Sequence, residues 1–492
     1  MSSPRRVVLW SAGLGLAVRL LAFAQEAAAP YLGSPVLDER WYDGAARALL
    51  GWPGGVVLDG FRPLLYPSFL AAIYGAVGPE WGAAAAVAAQ HLLGVATGVL
   101  VAVLAQCLAG SDAAGVAAGV LWSLAAPPIF TEGQLLSETL FVLLCTAALV
   151  AMCGSVSVKR AVVAGALIGL AGQVRPNALI LGGAVLCFAG WADGRASASA
   201  RAAEKLVATG RVRRTATPVI AALASLAAVH LVGRALEAPV NGGFRLLPSS
   251  GAVNLYLGNE RGADGMQPRQ DAPVPAGTSY RDSVEAWAER EYRAAHPQRE
   301  GADPAAVGRY WLGRTAREIA ACPWCWARLM TRKAVLLLWD EEIPNHLSFA
   351  FAAREDLPLL RFLPVRWWLL LALAPLGAAW VRSRSPGPSR ALLTCAVFLF
   401  LLALAILPFF VNSRYRLPLW PPLVALAGCG AVGLAEWLRE RNRRRLVAAF
   451  GTAIAGALLA LVNWTGAPLP SPARDLFYRS LARLERGEVE PA

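Results

Sequence analysis

A chain of 492 residues that is 56% hydrophobic and only 16% charged lies outside the usual soluble class, which carries about 25% charged residues. Its net charge of +13 does not imply a nucleic-acid partner. The basic residues sit in short runs between apolar segments, the distribution that the positive-inside rule expects of a membrane protein.

The chain opens MSSPRRVVLW and stays apolar to Ala24, interrupted by Arg19. An uncleaved first span over about Val7 to Ala24 is expected rather than a signal peptide, with Arg5 and Arg6 holding the N-terminus in the cytoplasm. Further stretches of near-bilayer length fall at about 83–107, 112–129, 136–153, 217–233, 361–381, 391–411, 417–437 and 446–464. Residues 161–192 read as two short helices broken at Arg175-Pro176, which brings the expected number of spans to about eleven. Helix parity then puts Lys159-Arg160, the run from Arg195 to Arg214, Arg382 to Arg390 and Arg439 to Arg445 on the side of Arg5 and Arg6.

Two long regions fall on the other side. Residues 25–82 form a first outward loop within an N-terminal membrane module of residues 1–233. Residues 234–360 form a second outward region, in which YRDSVEAWAEREYRAAHP and AAVGRYWLGRTAREIAACPWCWARLM read as amphipathic helices of a small, mostly helical cap. Residues 361–464 hold the C-terminal spans, and 465–492 a short outward tail. The expected class is an all-α polytopic membrane protein. Of eight cysteines, Cys107, Cys145, Cys153, Cys187, Cys395 and Cys429 lie in apolar segments and read as buried thiols. Cys322 and Cys325 form a CPWC pair, read as a disulfide or two inert thiols; a metal site there has His296 and His346 as its candidate further ligands.

The chemistry concentrates in the first outward loop, from Leu37 to Pro67: LDERWYDGAARALLGWPGGVVLDGFRPLLYP. It begins as a helix with Trp41, Ala45, Ala48 and Leu49 roughly on one face, and Asp38 and Glu39 near its N-terminus, where the dipole favours carboxylates. A carboxylate at a membrane boundary is costly and therefore a functional candidate. Asp38 is the candidate base, against the competing reading that it caps the helix. Glu138, beside Ser137 at the start of a span, is a candidate second acid or a dipole partner. Arg414 and Arg416 occupy a short outward loop against the charge trend, suited to a lipid phosphate or to snorkelling. Arg62 precedes an interfacial helix in LLYPSFLAAIYGAVG, and Arg175 either lines a cavity or turns a hairpin. Lys333 precedes Asp340, Glu341 and Glu342, acids that read as a solvated face rather than cation ligands.

These segments in this order resemble the GT-C membrane glycosyltransferases, in the protein O-mannosyltransferase-like branch, family 39. The resemblance rests on DERWYDGAARAL, RPLLYPSFLAAIYGAVG, LLSETLFVLL, GQVRPNALIL, NLYLGNERGADG and RYRLPLWPPLVALAG, spread over about residues 7–437. It implies a GT-C fold and an inverting transferase that moves a sugar from a polyprenyl-phosphate donor to a hydroxyl on a lipid, glycan or protein. The active site would face the exterior of a bacterial inner membrane. It further implies Asp38 as base with Glu39 as its neighbour, and Arg414, Arg416, Arg62 and Lys333 as holders of the donor phosphate. Glu138, Tyr42, Tyr66, Arg175 and Asn259 are further acid or substrate-binding candidates. It implies no certain cofactor, and a divalent cation stays open. The competing classes are a transporter or flippase of a lipid-linked sugar, a ligase-like GT-C enzyme with a diphosphate donor, and a non-catalytic glycolipid receptor. A transporter would show related halves and acids deep in mid-span, whereas here no half resembles the other and the acids sit at span edges in the outward loops.

Overall fold

The computed structural model describes residues 4–58, 60–190, 211–267, 280–298, 303–384 and 389–488. Most of the basic run from Arg195 to Arg214, part of that from Arg382 to Arg390, and the Cys187 side chain lie outside the described residues. The fold is helical, with one isolated bridge between Ala125 and Val365 among the described residues.

Helix α1 (Pro4–Ala28) is followed by α2 (Leu37–Leu49) and α3 (Leu65–Val77), both between α1 and the next membrane-length helix. Then come α4 (Gly82–Ala109), α5 (Asp112–Ser123), α6 (Ala126–Glu132), α7 (Glu138–Cys153), α8 (Val158–Val174), α9 (Gly182–Gly190) and α10 (Arg211–Glu237). The region between α10 and the C-terminal apolar helices holds α11 (Ser250–Asn259), α12 (Tyr280–Ala295), α13 (Pro304–Ala321), α14 (Pro323–Leu338), α15 (Phe349–Glu355) and α16 (Leu359–Phe362). The chain closes with α17 (Trp367–Arg384), α18 (Arg390–Ile406), the single turn α19 (Ser413–Arg416), α20 (Trp420–Arg439), α21 (Arg443–Leu461) and α22 (Ala473–Glu485).

Five stretches among the described residues are long and apolar enough to cross a membrane: Val7–Ala28, Gly82–Ala109, Ala216–Glu237, Ser413–Arg439 and Arg443–Leu461. Shorter apolar helices pack among them, including Glu138–Cys153 and Arg390–Ile406. The chain is an integral membrane protein. Small residues set its packing. A Cβ on Gly377 of α17 would come within 1.8 Å of the Leu426 carbonyl of α20, so these two backbones touch where no side chain intervenes.

Several expectations change. The segment expected to span at 112–129 is two helices, because Pro127 and Pro128 at the start of α6 cannot continue the hydrogen-bond ladder of α5. The break at Arg175-Pro176 is present: Arg175 is extended, with φ −145° and ψ 112°, as the residue before a proline prefers. Cys145, Cys153, Cys395 and Cys429 are buried, but Cys107 faces outward from α4. Cys322 and Cys325 form a disulfide at the α13–α14 junction. The acids at 340–342 are not a solvated face. Glu342 is buried against Arg416, and Asp340 accepts from the Trp368 N–H at 2.7 Å, because the segment returns into the protein just before α17.

The region expected to form a cap is helical among its described residues. Val253, Tyr256 and Leu257 of α11 pack with Val284, Ala288 and Trp311 into a cluster of their own, and Phe410 joins it from the loop after α18. The expected tail is partly a helix: Asp475 of α22 accepts from the Ser348 N–H at 2.7 Å, and Arg486 donates to the Ala29 carbonyl at 2.9 Å.

Candidate functional site

Helix α2 starts on a strained residue. Leu37 has φ +50°, a backbone conformation that a branched side chain disfavours, and it turns the chain sharply out of Val36. The N-cap is Val36, which offers no side-chain cap, so Asp38 sits inside the first turn and does not cap the helix. Its carboxylate does something else. Oδ1 accepts from Arg62 Nη2 at 2.8 Å, and Oδ2 accepts from Arg414 Nη1 at 2.7 Å.

Arg414 is shared. Its Nε donates to Glu138 Oε1 at 2.6 Å, and Arg175 donates to the same oxygen. Ser137 ties two of the arms together, accepting from Arg175 Nε and from the Tyr42 hydroxyl, each at 3.3 Å. Aromatic rings floor the array. Arg62 lies 5.1 Å from the Trp41 ring and 5.5 Å from that of Tyr42, and Arg175 lies 5.0 Å from Tyr415. Tyr66 packs edge-on to Tyr42 at 4.9 Å and donates to Gln90 at 2.7 Å, which holds Tyr42 from behind.

Three guanidiniums therefore face two carboxylates, Asp38 and Glu138. Glu39 does not restore the balance. It pairs with neither Arg62 nor Arg414; its Oε1 lies 3.6 Å from His346 Nδ1, it accepts from the Leu135 backbone N–H, and it is pushed up to about 8, chiefly by burial. Burial also disfavours the charged form of Asp38, but Arg62 and then Arg414 outweigh it and hold that carboxyl well below its usual range. The cluster carries one positive charge in excess and stays partly open: Asp38 is 19% exposed and Arg175 16%. An array of this kind suits an anion with several acceptor oxygens.

Four of the residues singled out in the sequence stand apart from it. Arg416 is two residues from Arg414 but points elsewhere. It donates to Glu342 Oε1 at 2.7 Å and to the Trp339 and Glu341 carbonyls, over the Trp367 ring. Lys333 donates to the Gly258 carbonyl at 2.7 Å, and burial pushes it down to about 7. Asn259 donates to the Leu255 and Pro408 carbonyls and accepts from Trp326 at 3.0 Å. Lys333 and Asn259 thus fasten α11 to α14 and to the loop after α18. Glu39 is the fourth.

Two groups had not been singled out for this site. His346 had been considered only as a ligand for the cysteine pair. Its Nε2 contacts the Val36 carbonyl at 3.1 Å and its Nδ1 contacts Gln134 Oε1 at 2.9 Å, and so it braces the turn that presents Asp38. Burial and the neighbouring Arg414 push it down to about 4. The other group is Arg19, Glu26, His91 and Glu132. Arg19 grips Glu132 with two bonds of 2.7 Å, and His91 bridges Glu26 at 2.7 Å and Glu132 at 3.0 Å. Charges inside apolar runs were the signal for it. Among the described residues, no group of three or more His, Cys, Asp or Glu side chains is placed to hold a metal ion.

No family model matches the chain, and no curated protein does. Among solved structures it is similar to the Archaeoglobus fulgidus oligosaccharyltransferase in complex with zinc and sulfate, at a TM-score of 0.40 and 12% identity over 94% of this chain and 54% of that one. It is also similar to ArnT from Cupriavidus metallidurans bound to undecaprenyl phosphate, at 0.34 and 16% over 88% of this chain and 78% of that one. The same ArnT in its apo state gives 0.31 and 15%, over 85% and 77% of the two chains. The chain thus spans about half the length of the first of these structures.

Proposed function

We propose that this protein is a GT-C membrane glycosyltransferase that moves a sugar from a polyprenyl-phosphate donor to an acceptor hydroxyl. The reaction would take place on the outer face of a bacterial inner membrane. The observation that carries the reading is the Asp38 carboxylate held between Arg62 and Arg414, in an array with one guanidinium in excess. The excess charge suits the phosphate of the donor, and the carboxylate suits the base. Five of the six sequence segments that resemble the family supply most of the array: Asp38 and Tyr42, Arg62, Glu138, Arg175 and Arg414.

Asp38 is a poor base as it stands, since both of its oxygens accept from arginines and its basicity is low. A donor phosphate would draw Arg62 and Arg414 toward its own oxygens. That would free one carboxylate oxygen and raise its basicity at the moment the donor is in place. Asp38 would then take the proton of the acceptor hydroxyl as its oxygen attacks C1 of the sugar. The C1–phosphate bond breaks on the opposite face and configuration inverts. Arg414 and Arg175, anchored on Glu138, would offset the charge that develops on the departing phosphate.

The reading is tested with purified protein in nanodiscs, offering a panel of polyprenyl-phosphate sugars and following polyprenyl-phosphate release. Release that collapses in Asp38→Asn while donor binding persists supports the transferase and its base. Release untouched by that substitution overturns the assignment of the base and favours the ligase-like class. Donor binding with no release in native membranes overturns the transferase reading itself.

A further inference from the structure

Helix α22 has the polarity opposite to that of a helix facing water. Ala473, Phe477, Ser480 and Leu484 recur at helical spacing along the side turned away from the protein, and none is charged. Phe477 is 62% exposed and Leu484 63%, with Leu476 on the flank. The charges reach back instead. Arg474 donates to the His346 carbonyl at 2.7 Å, Asp475 accepts from Ser348, Arg479 pairs with Glu355 and Asp356, and Glu485 pairs with Arg40.

The apolar surface continues beyond the helix. Leu469 and Trp464, which link α22 to the membrane-length helix α21, are exposed. So is Phe362 of α16, whose neighbours Leu359 and Leu360 share a hydrophobic cluster with Tyr478 of α22. On α21 itself Ile454, Leu458 and Leu461 face outward, as lipid-facing residues do. Leaving Phe477 and Leu484 in water would forfeit much of the burial energy of two large side chains. A bilayer boundary removes that cost with no further protein.

We propose that α22 is an interfacial helix. Its Phe477–Leu484 face lies in the headgroup–acyl boundary of the outer leaflet, and its inward polar contacts hold the Asp38 loop at that depth. The hold runs through two short routes. Arg474 binds the backbone of His346, whose ring contacts the Val36 carbonyl two residues before Asp38. Arg486 and Glu485 fasten Ala29 and Arg40 on either side of the same turn. Trp464 is the kind of amphipathic ring that settles at headgroup level. The lipid contact itself is independent of which group the site transfers.

The test places the photo-crosslinking residue benzoylphenylalanine at position 477 or 484 of the full chain in phospholipid nanodiscs. Irradiation is followed by intact-mass and peptide mass spectrometry. Benzoylphenylalanine is aromatic and apolar, so the replacement at Phe477 keeps the character of the face. The same residue at Tyr478, which packs inward, serves as the control. Phospholipid adducts at 477 and 484, several-fold above those at 478, are the expected result. Adducts to a second copy of the chain would overturn the proposal in favour of a dimer face. Lipid adducts no more frequent than at 478 would overturn it as well. None of these readouts depends on sugar transfer, so a failed transferase assay and a failed lipid contact are told apart.

Discussion

Two of the clusters in which buried arginines meet carboxylates differ in how their arginines are used. In the inner cluster Arg19 spends both arms on one carboxylate, Glu132, and His91 closes the remaining gap to Glu26. Arg19 and Glu132 are each at most 2% exposed, and three helices, α1, α4 and α6, are pinned together. In the outer cluster Arg414 splits its arms between Asp38 and Glu138, each of which also serves a second arginine. A saturated pair is a structural tie. A shared one, with a guanidinium in excess and an opening to solvent, is the arrangement that the proposed donor phosphate would draw on.

The largest effect that would sharpen this contrast is on rate. Asp38→Asn should lower polyprenyl-phosphate release about a thousandfold. Donor affinity should hold or improve, because Arg62 and Arg414 lose a competitor; binding and single-turnover measurements check both. The inner cluster should respond in stability instead. Glu132→Gln leaves Arg19 buried without its ion partner and should cost about 3–5 kcal/mol, read as a fall in the thermal midpoint in detergent. Release per folded molecule should be unchanged. A Glu132→Gln protein of normal stability but low activity would break the contrast.

The two neighbouring arginines give a smaller, internal test. Arg414 reaches Glu138 with Nε and Asp38 with Nη1, and a lysine has a single nitrogen in place of that planar fork, so Arg414→Lys should weaken donor binding by about ten- to a hundredfold. Arg416→Lys should leave donor affinity alone and cost about 1–3 kcal/mol of stability through the lost bonds to Glu342 and the two carbonyls. Equal losses of donor affinity in both variants would place Arg416 in the site after all.

The smallest effect is one of pH. Burial pushes Glu39 up to about 8 from an ordinary 4.5, so between those values the folded protein holds a proton that the unfolded chain has released. Glu39 therefore contributes a loss of stability as pH rises from about 5 to about 8, levelling off above. Glu39→Gln should remove that slope from the thermal midpoint measured across pH. Asp38 should add no slope there, because it stays ionised throughout. Glu341, Glu342, Asp356 and Asp475 are also raised and keep a slope of their own, so the readout is the difference between the two proteins, and identical slopes would show that Glu39 is ionised in the fold.

The sequence made the outer cluster legible because its members are charges where charges are costly. Asp38, Arg62, Glu138, Arg175 and Arg414 were each conspicuous against an apolar background, and all five meet. The same rule would have marked Arg19, Glu26, His91 and Glu132. Arg19 was noticed only as an interruption of the first span, and no spacing rule pairs it with a carboxylate 113 residues away. Arg416 points away from the cluster for a local reason. Two steps along a helical turn rotate a side chain by about 200°, so Arg414 and Arg416 face opposite ways although they share one short loop. Lys333 and Asn259 bind backbone carbonyls, and a carbonyl leaves no trace in a side-chain pattern.

Composition and periodicity alone determined that this chain is helical and membrane-embedded, because burial of apolar helices depends on composition and length. They also determined which charges needed explaining. The tertiary structure decided what each charge does. It gave Arg414 two carboxylates and Arg19 one, placed the Leu37 turn so that Asp38 meets both arginines, and turned the apolar face of α22 outward. Those outcomes depend on distances between segments far apart in the chain, and only packing sets such distances.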